Sequence, residues 1–207
     1  MTLASPITLG AIDVRQSARA AALAAAGDEE LMAGFRASGA EEAFEELVRR
    51  HAGSGYRAAL AMLGNSAAAE DAVQECFLRL VRARGSYVPG GPFSSWFYAI
   101  LRNVCRDELR RAPHPVAEGV EPPAAPAGAE PFAHLETREA AQAAARAFAQ
   151  LPESDREVLA LRIHGGLEFA QIAAACGIST EAAKKRACRA LDLLRRALSG
   201  RLRRQPV

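Results

Sequence analysis

The chemistry most legible in this chain is positive charge placed for contact with a polyanion. Lys184, Lys185, Arg186 and Arg189 lie close together, and the stretch to Arg204 adds Arg195, Arg196, Arg201 and Arg203 against the single acid Asp192. Those two lysines are the only ones in the sequence, and few acids balance them, so a plain solvated helix face explains the run less well. In the first turns of a helix such side chains can enter a major groove, where Lys and Arg donate hydrogen bonds to guanine edges and phosphates. A formal net charge of +2 would not announce a nucleic-acid partner, so the argument rests on placement.

A second set of polar residues, Asn103, Arg106, Asp107 and Arg110, recurs at i, i+3, i+4 and i+7. The apolar residues Phe97, Ile100, Leu101 and Val104 define the opposite stripe, so one face belongs to a core and the other is free for contact. Catalytic patterns are missing: there is no nucleotide-binding Gly loop, no supported acid pair and no Ser/His arrangement. Cys76, Cys105, Cys176 and Cys188 are far apart and form no C-x-x-C pair, so buried thiols are expected, with Cys188 the candidate for any redox role. No catalytic residue, metal or cofactor is expected, and no small-molecule substrate.

The elements that must position these residues are helical. Ala, Leu, Glu and Arg dominate while strand-favouring Val, Ile and Thr are sparse. Leu31, Met32 and Phe35 start one amphipathic helix, and Phe44, Leu47 and Val48 another that runs to Leu63 before Gly64-Asn65. Ser66 is the expected N-cap of a third, with Val73, Phe77, Leu80 and Val81 inward. The segment from Arg84 to Ser95, rich in Gly and Pro, reads as a loop before the helix carrying Asn103. Further on, Ala140, Ala144, Phe148 and Leu151 mark a helix ended by Pro152. Ser154 is the expected cap of the next, which stops at Gly165-Gly166.

Glu168 to Cys176, then Gly177-Ile178-Ser179, then a helix from Thr180 to about Leu198 describe a helix-turn-helix. Gly177 supplies the turn, Ile178 the plug between helices, and Ser179 or Thr180 the cap. Ala183, Ala187, Leu191 and Leu194 are expected to face the core, leaving the basic residues outward.

Six prolines between Ala112 and Pro131 can neither continue a helix nor bury a core, so the fold class is all-α with two small helical domains joined by a Pro/Ala-rich linker. The expected organisation is an N-terminal extension (1–27) that is disordered, a first domain (28–111), a linker (112–134), a helix-turn-helix domain (135–199) and a basic tail (200–207). Met1 to Gly27 lack the basic start and apolar run of a signal peptide, and no stretch approaches the roughly 20 apolar residues of a membrane span. A soluble, cytoplasmic chain is expected.

The motifs together resemble a known family. Leu151-Pro152-Glu153, Arg156-Glu157-Val158-Leu159, Gly166-Leu167, Gln171-Ile172-Ala173, Gly177-Ile178-Ser179 and Lys184 are similar to region 4 of extracytoplasmic-function (ECF, group IV) sigma factors of the sigma-70 family. Phe44 to His51 and Glu70 to Phe77 resemble regions 2.1 and 2.2. Phe93, Trp96, Phe97, Ile100, Arg102-Asn103, Asp107 and Arg110-Arg111 resemble regions 2.3 and 2.4. The order of the matches is the family's own, with its intervening linker. Glu168 departs from it, standing where Ser or Thr often caps.

The resemblance implies a sigma factor that binds core RNA polymerase, recognises the minus-35 and minus-10 promoter elements and promotes initiation. It puts Asp71, Gln74 and Glu75 on the clamp helices of the largest subunit, with region 4 on the flap. It puts Trp96, Asn103, Arg106, Asp107, Arg110 and Arg111 at the minus-10 element, and Ser179, Thr180, Lys184, Lys185, Arg186 and Arg189 at the minus-35 element. An anti-sigma factor is implied as a further partner. The alternatives are a sigma mimic that sequesters an anti-sigma factor, which the retained basic residues argue against, and a one-component helix-turn-helix regulator, which has no use for region 2.

Overall fold

In the computed structural model, residues 18–111 and 141–202 are described, with side chains to Ser199. The linker expected at 112–134, the start of the second domain and most of the basic tail lie outside them. Among the described residues the chain is helical, with no strand. The helices run in order α1 (residues 18–25), α2 (Asp28–Ser38), α3 (Glu41–Leu63), α4 (Ser66–Ala83), a short 3-10 turn Arg84–Ser86 and α5 (Phe93–Arg111). The second half holds α6 (residues 141–149), α7 (Glu153–Ile163), α8 (Phe169–Cys176) and α9 (Thr180–Leu202).

The first half is built round the long helices α3, α4 and α5. Leu47, Cys76, Leu80, Phe93, Phe97 and Leu101 are all fully buried. The ring of Phe97 lies 5.3 Å from Phe77 and 6.1 Å from Phe93, an aromatic seam holding the start of α5. Glu29 on α2 fastens the same point, accepting the N–H of Phe93 at 3.0 Å, where a carboxylate also meets the positive end of the helix dipole.

Residues 18–25 are helical, against the expectation of a disordered extension, and Arg50 explains why. Its guanidinium donates to the carbonyls of Leu23, Ala24 and Ala26, satisfying the end of α1, and also bonds Asp28 at 2.8 Å. Three further details differ from the reading of the sequence. Asn65, not Ser66, caps α4: it is the one extended residue after Gly64, and its side chain accepts the Ala68 N–H at 2.9 Å. Ser154 lies inside α7, whose N-cap is Pro152. Helix α5 begins at Phe93, so the last part of the expected loop is helical, its first turn closed by the Trp96 N–H on the Pro92 carbonyl at 3.4 Å.

The two halves do not stand apart. Buried residues of the first half and Val158, Leu161, Leu167, Ile172 and Ala183 of the second form one continuous apolar cluster, with α7 on α3 and α8 on α5. Gly165 marks how close the approach is: a Cβ there would lie 3.1 Å from the Tyr98 ring and 2.6 Å from the Leu161 carbonyl oxygen. Along one side the seam opens into an apolar cleft of about 360 Å³ between α3, α6, α7 and α9.

Candidate nucleic-acid and protein interfaces

The helix-turn-helix is set by local chemistry. Glu168 caps α8 through a reciprocal capping box with Gln171, whose side chain accepts the Glu168 N–H at 2.8 Å. Gly177 ends α8 at φ 65°, a left-handed conformation that glycine adopts without penalty, and Ile178 donates back to Ala173 at 3.0 Å. Ser179 starts α9, its hydroxyl accepting the Ala182 N–H at 3.1 Å. Ala183, Ala187 and Ala190 are buried, with Leu194 half-buried beside them. Leu191, expected inward, is 48% exposed, because the 3.6-residue period carries the core stripe from 187 to 190 and 194.

That register decides what α9 presents. Ser179, Lys184, Lys185, Cys188 and Arg189 are exposed, and Thr180 and Arg186 half-buried. Lys184 is held only by Glu181, at 2.9 Å between two exposed side chains, a contact worth little. Arg189 is different. Its fork bonds both oxygens of Asp155, a carboxylate that is wholly buried on α7, so this guanidinium ties α9 to α7. Three thiols are buried as expected, and burial pushes Cys105 up to about 12; Cys188 is exposed.

On α5, Asn103, Arg106, Arg110 and Arg111 are exposed, and Asp107 is half-buried between Arg79, at 3.0 Å, and Arg110. Trp96 is half-buried, its ring 5.2 Å from Tyr87, whose hydroxyl donates to the Gly91 carbonyl at 2.7 Å. The loop from Tyr87 to Pro92 is thus tied to the start of α5. Val88 within it is 74% exposed.

On α4, Asp71 and Gln74 are exposed and Glu75 is half-exposed. Arg79 bonds Glu75 at 2.7 Å and holds its carboxyl below the usual range, as it does Asp107. One chain of ion pairs therefore runs Glu75, Arg79, Asp107, Arg110, linking the α4 face to the α5 face. Leu78, one turn beyond Gln74, is 52% exposed, an apolar group amid these polar ones that sequence reasoning left out.

Sequence reasoning also missed a charge cluster between the halves. Arg102 on α5 donates to Glu157 on α7 at 2.9 Å, and both side chains are at most 10% exposed. Arg106 faces the other oxygen of Glu157 at 3.5 Å and Glu153 at 3.8 Å. No signal in the sequence pairs residues so far apart. Among the described residues, no group of three or more His, Cys, Asp or Glu could hold a metal ion, and no helix is long and apolar enough to cross a membrane.

Comparison with known proteins agrees with this geometry. Residues 47–113 match the family model for Sigma-70 region 2, and residues 141–194 that for Sigma-70 region 4. RNA polymerase sigma factor CarQ of Myxococcus xanthus is 38% identical over 77% of this chain and 91% of its own length. ECF RNA polymerase sigma factor SigM of Mycobacterium tuberculosis is 36% identical over 83% of this chain and 84% of its own. Among solved structures, CnrH in complex with the cytosolic domain of CnrY matches with a TM-score of 0.63 and 28% identity, covering 84% of this chain and 97% of that one. A helix-turn-helix with its basic turns outward, joined to a region 2 helical unit in the order shared by these relatives, places the chain in the ECF sigma factors of the sigma-70 family, which bind RNA polymerase and promoter DNA to begin transcription.

Proposed function

We propose that this sigma factor divides its work among three surfaces. The α4 face of Asp71, Gln74 and Glu75, with Leu78 as its apolar centre, docks on the clamp helices of the largest polymerase subunit, and region 4 meets the flap. The α5 face of Asn103, Arg106, Asp107, Arg110 and Arg111, with Trp96 and the preceding loop, takes the opened minus-10 strand. Ser179, Thr180, Lys184, Lys185 and Arg186 meet the minus-35 duplex, while Arg189 is divided between phosphate and Asp155.

The observation that carries this reading is the register of α9. Three buried alanines force Lys184 and Lys185 outward in the first turns after Gly177, where a recognition helix meets base edges. The chain supplies recognition and no chemistry of its own, and it acts in the cytoplasm. The cytosolic CnrY domain seated on CnrH supports a similar anti-sigma partner for this chain. Pull-down of core polymerase followed by transcription in vitro tests the whole reading. A sigma factor passes both; a sigma mimic fails to start transcription, and a one-component regulator fails to replace sigma.

A further inference from the structure

We infer that α2 is part of the minus-10 apparatus: Glu29, by holding the first N–H of α5, is a positioning residue that sets where the Tyr87–Pro92 loop and Trp96 meet the opened strand. The inference rests on the reading of α5 and its loop given above and deepens it, since α2 precedes the stretch matched to region 2.

The first observation is where the loop is tied. A helix leaves its opening N–H groups without partners, and at α5 the Phe93 N–H is taken by Glu29, at 3.0 Å and 64 residues away in sequence. At the other end of the loop the Arg84 guanidinium lies 5.4 Å from the centre of the Phe35 ring, over its face. Glu29 stands in the first turn of α2 and Phe35 in its last, about 9 Å apart along the axis at about 1.5 Å per residue. One rigid helix therefore sets the spacing of the loop's two ends.

The second is what lies between them. Tyr87 is buried, its hydroxyl donates to the Gly91 carbonyl at 2.7 Å, and the Gly91 N–H returns to the Val88 carbonyl at 3.3 Å. Gly90 turns the chain there with a φ of 92°, which a side chain would resist. The loop is thus a closed turn that moves as a unit, and Trp96 rests against the same Tyr87 ring. Burial pushes the Tyr87 hydroxyl above its usual range, and the charges of Glu29 and Asp28 add to the effect, which keeps it a donor. A shift of the Phe93 anchor carries Val88 and Trp96 with it.

The third separates positioning from support. Helix α2 is held on the core by Leu31, Met32 and Phe35, all buried, and by Asp28, which bonds His51 at 2.6 Å and Arg50 at 2.8 Å. Glu29 is exposed and adds nothing to that attachment. Its loss frees the α5 end of the loop while α2 stays in place.

Trp96 is the only tryptophan of the chain, so its fluorescence reports the anchor directly. In the full chain, Glu29→Ala should raise quenching of Trp96 by acrylamide, and Glu29→Gln, which keeps the acceptor and drops the charge, should quench as the parent does. Holoenzyme assembled with each variant is then bound to a forked promoter fragment whose nontemplate minus-10 strand is already single, with each base in turn at the minus-10 positions. Glu29→Ala should lose roughly fivefold or more of the preference between matched and mismatched bases, with affinity for a minus-35 duplex unchanged, and Glu29→Gln should keep that preference. Arg84→Gln loosens the other anchor and should act in the same direction. Unchanged quenching or unchanged base preference in Glu29→Ala overturns the inference, as does a Glu29→Gln that behaves like Glu29→Ala, which would make the effect one of charge alone. Asn103→Ala is the control on the underlying reading: if it binds the forked fragment as the parent does, the strand is held elsewhere and that reading falls, whereas a loss there with none in Glu29→Ala removes only the positioning role.

Discussion

Lys184 and Arg189 sit little more than a turn apart, yet different partners hold them, and their substitutions should separate accordingly. Lys184 has one exposed contact, so Lys184→Ala or Lys185→Ala should leave folding intact. If the side chain reads a base, its loss costs about 1–3 kcal/mol at one promoter position; if it meets phosphate, all sequences weaken alike and the salt dependence flattens. Binding to a promoter and its single-base variants at several salt concentrations distinguishes the two, and no change in either mutant would remove α9 from recognition. Arg189→Ala should instead destabilise the second half by about 1–3 kcal/mol, because Asp155 is left buried without its donors. Urea unfolding followed by helicity checks this, and Asp155→Asn should lose less than Asp155→Ala. For Asn103→Ala, exposed and without a structural bond to lose, core binding should persist while strand opening fails; permanganate reactivity of promoter thymines reads it.

Helix α4 presents polymerase-facing and structural residues on adjacent stripes, and Arg79 joins them. Reversing charge at both Asp71 and Glu75 should weaken core binding without unfolding, and Leu78→Ala should weaken it further, by about 1 kcal/mol or more for an apolar group at the centre of a contact. Competition with a labelled sigma factor for core enzyme measures both; normal competition by the double reversal would move the docking surface elsewhere. What the sequence made legible follows the same division. Periodicity located α3, α4 and α5 and the outward face of Asn103, because a half-buried helix writes its orientation in its spacing. It could not anticipate Arg79 bridging Glu75 to Asp107, Arg50 capping α1, or Arg189 on Asp155. Each pairs residues on different helices, and a lone charge in a helical pattern looks the same whether its partner is water or a distant carboxylate. The misplaced Leu191 has another origin: two leucines compete for one stripe, and the small residue Ala190 occupies the inward position.

At the scale of the molecule, the prolines after Arg111 divide the chain into two helical domains, and the described parts of both contribute to one apolar cluster that includes Phe97 and Ile172. Composition reveals where a chain can bend but not whether the halves meet again. Their seam also contains a titratable group. His164 at the end of α7 is pulled below its ordinary value of 6.5, first by burial and then by the neighbouring positive charge of Arg57 on α3. The packed form thus favours the neutral ring, while a separated or unfolded chain lets it titrate near 6.5. Stability from this group is fully present above pH 6.5 and is lost as pH falls below it, because the unpacked state then binds more protons, with a limiting slope of about 1.4 kcal/mol per pH unit. The carboxyls of Glu46, Glu75 and Asp107, held low by their arginines, take up protons in the unfolded chain near their ordinary values of 4.5 and 3.8, so their influence has faded by about pH 5.5 and the histidine dominates from there to 6.5. Unfolding midpoints in urea should therefore fall across that interval for the parent chain and stay nearly level for His164→Gln. An equal fall in both proteins would show that the pH response arises outside the seam.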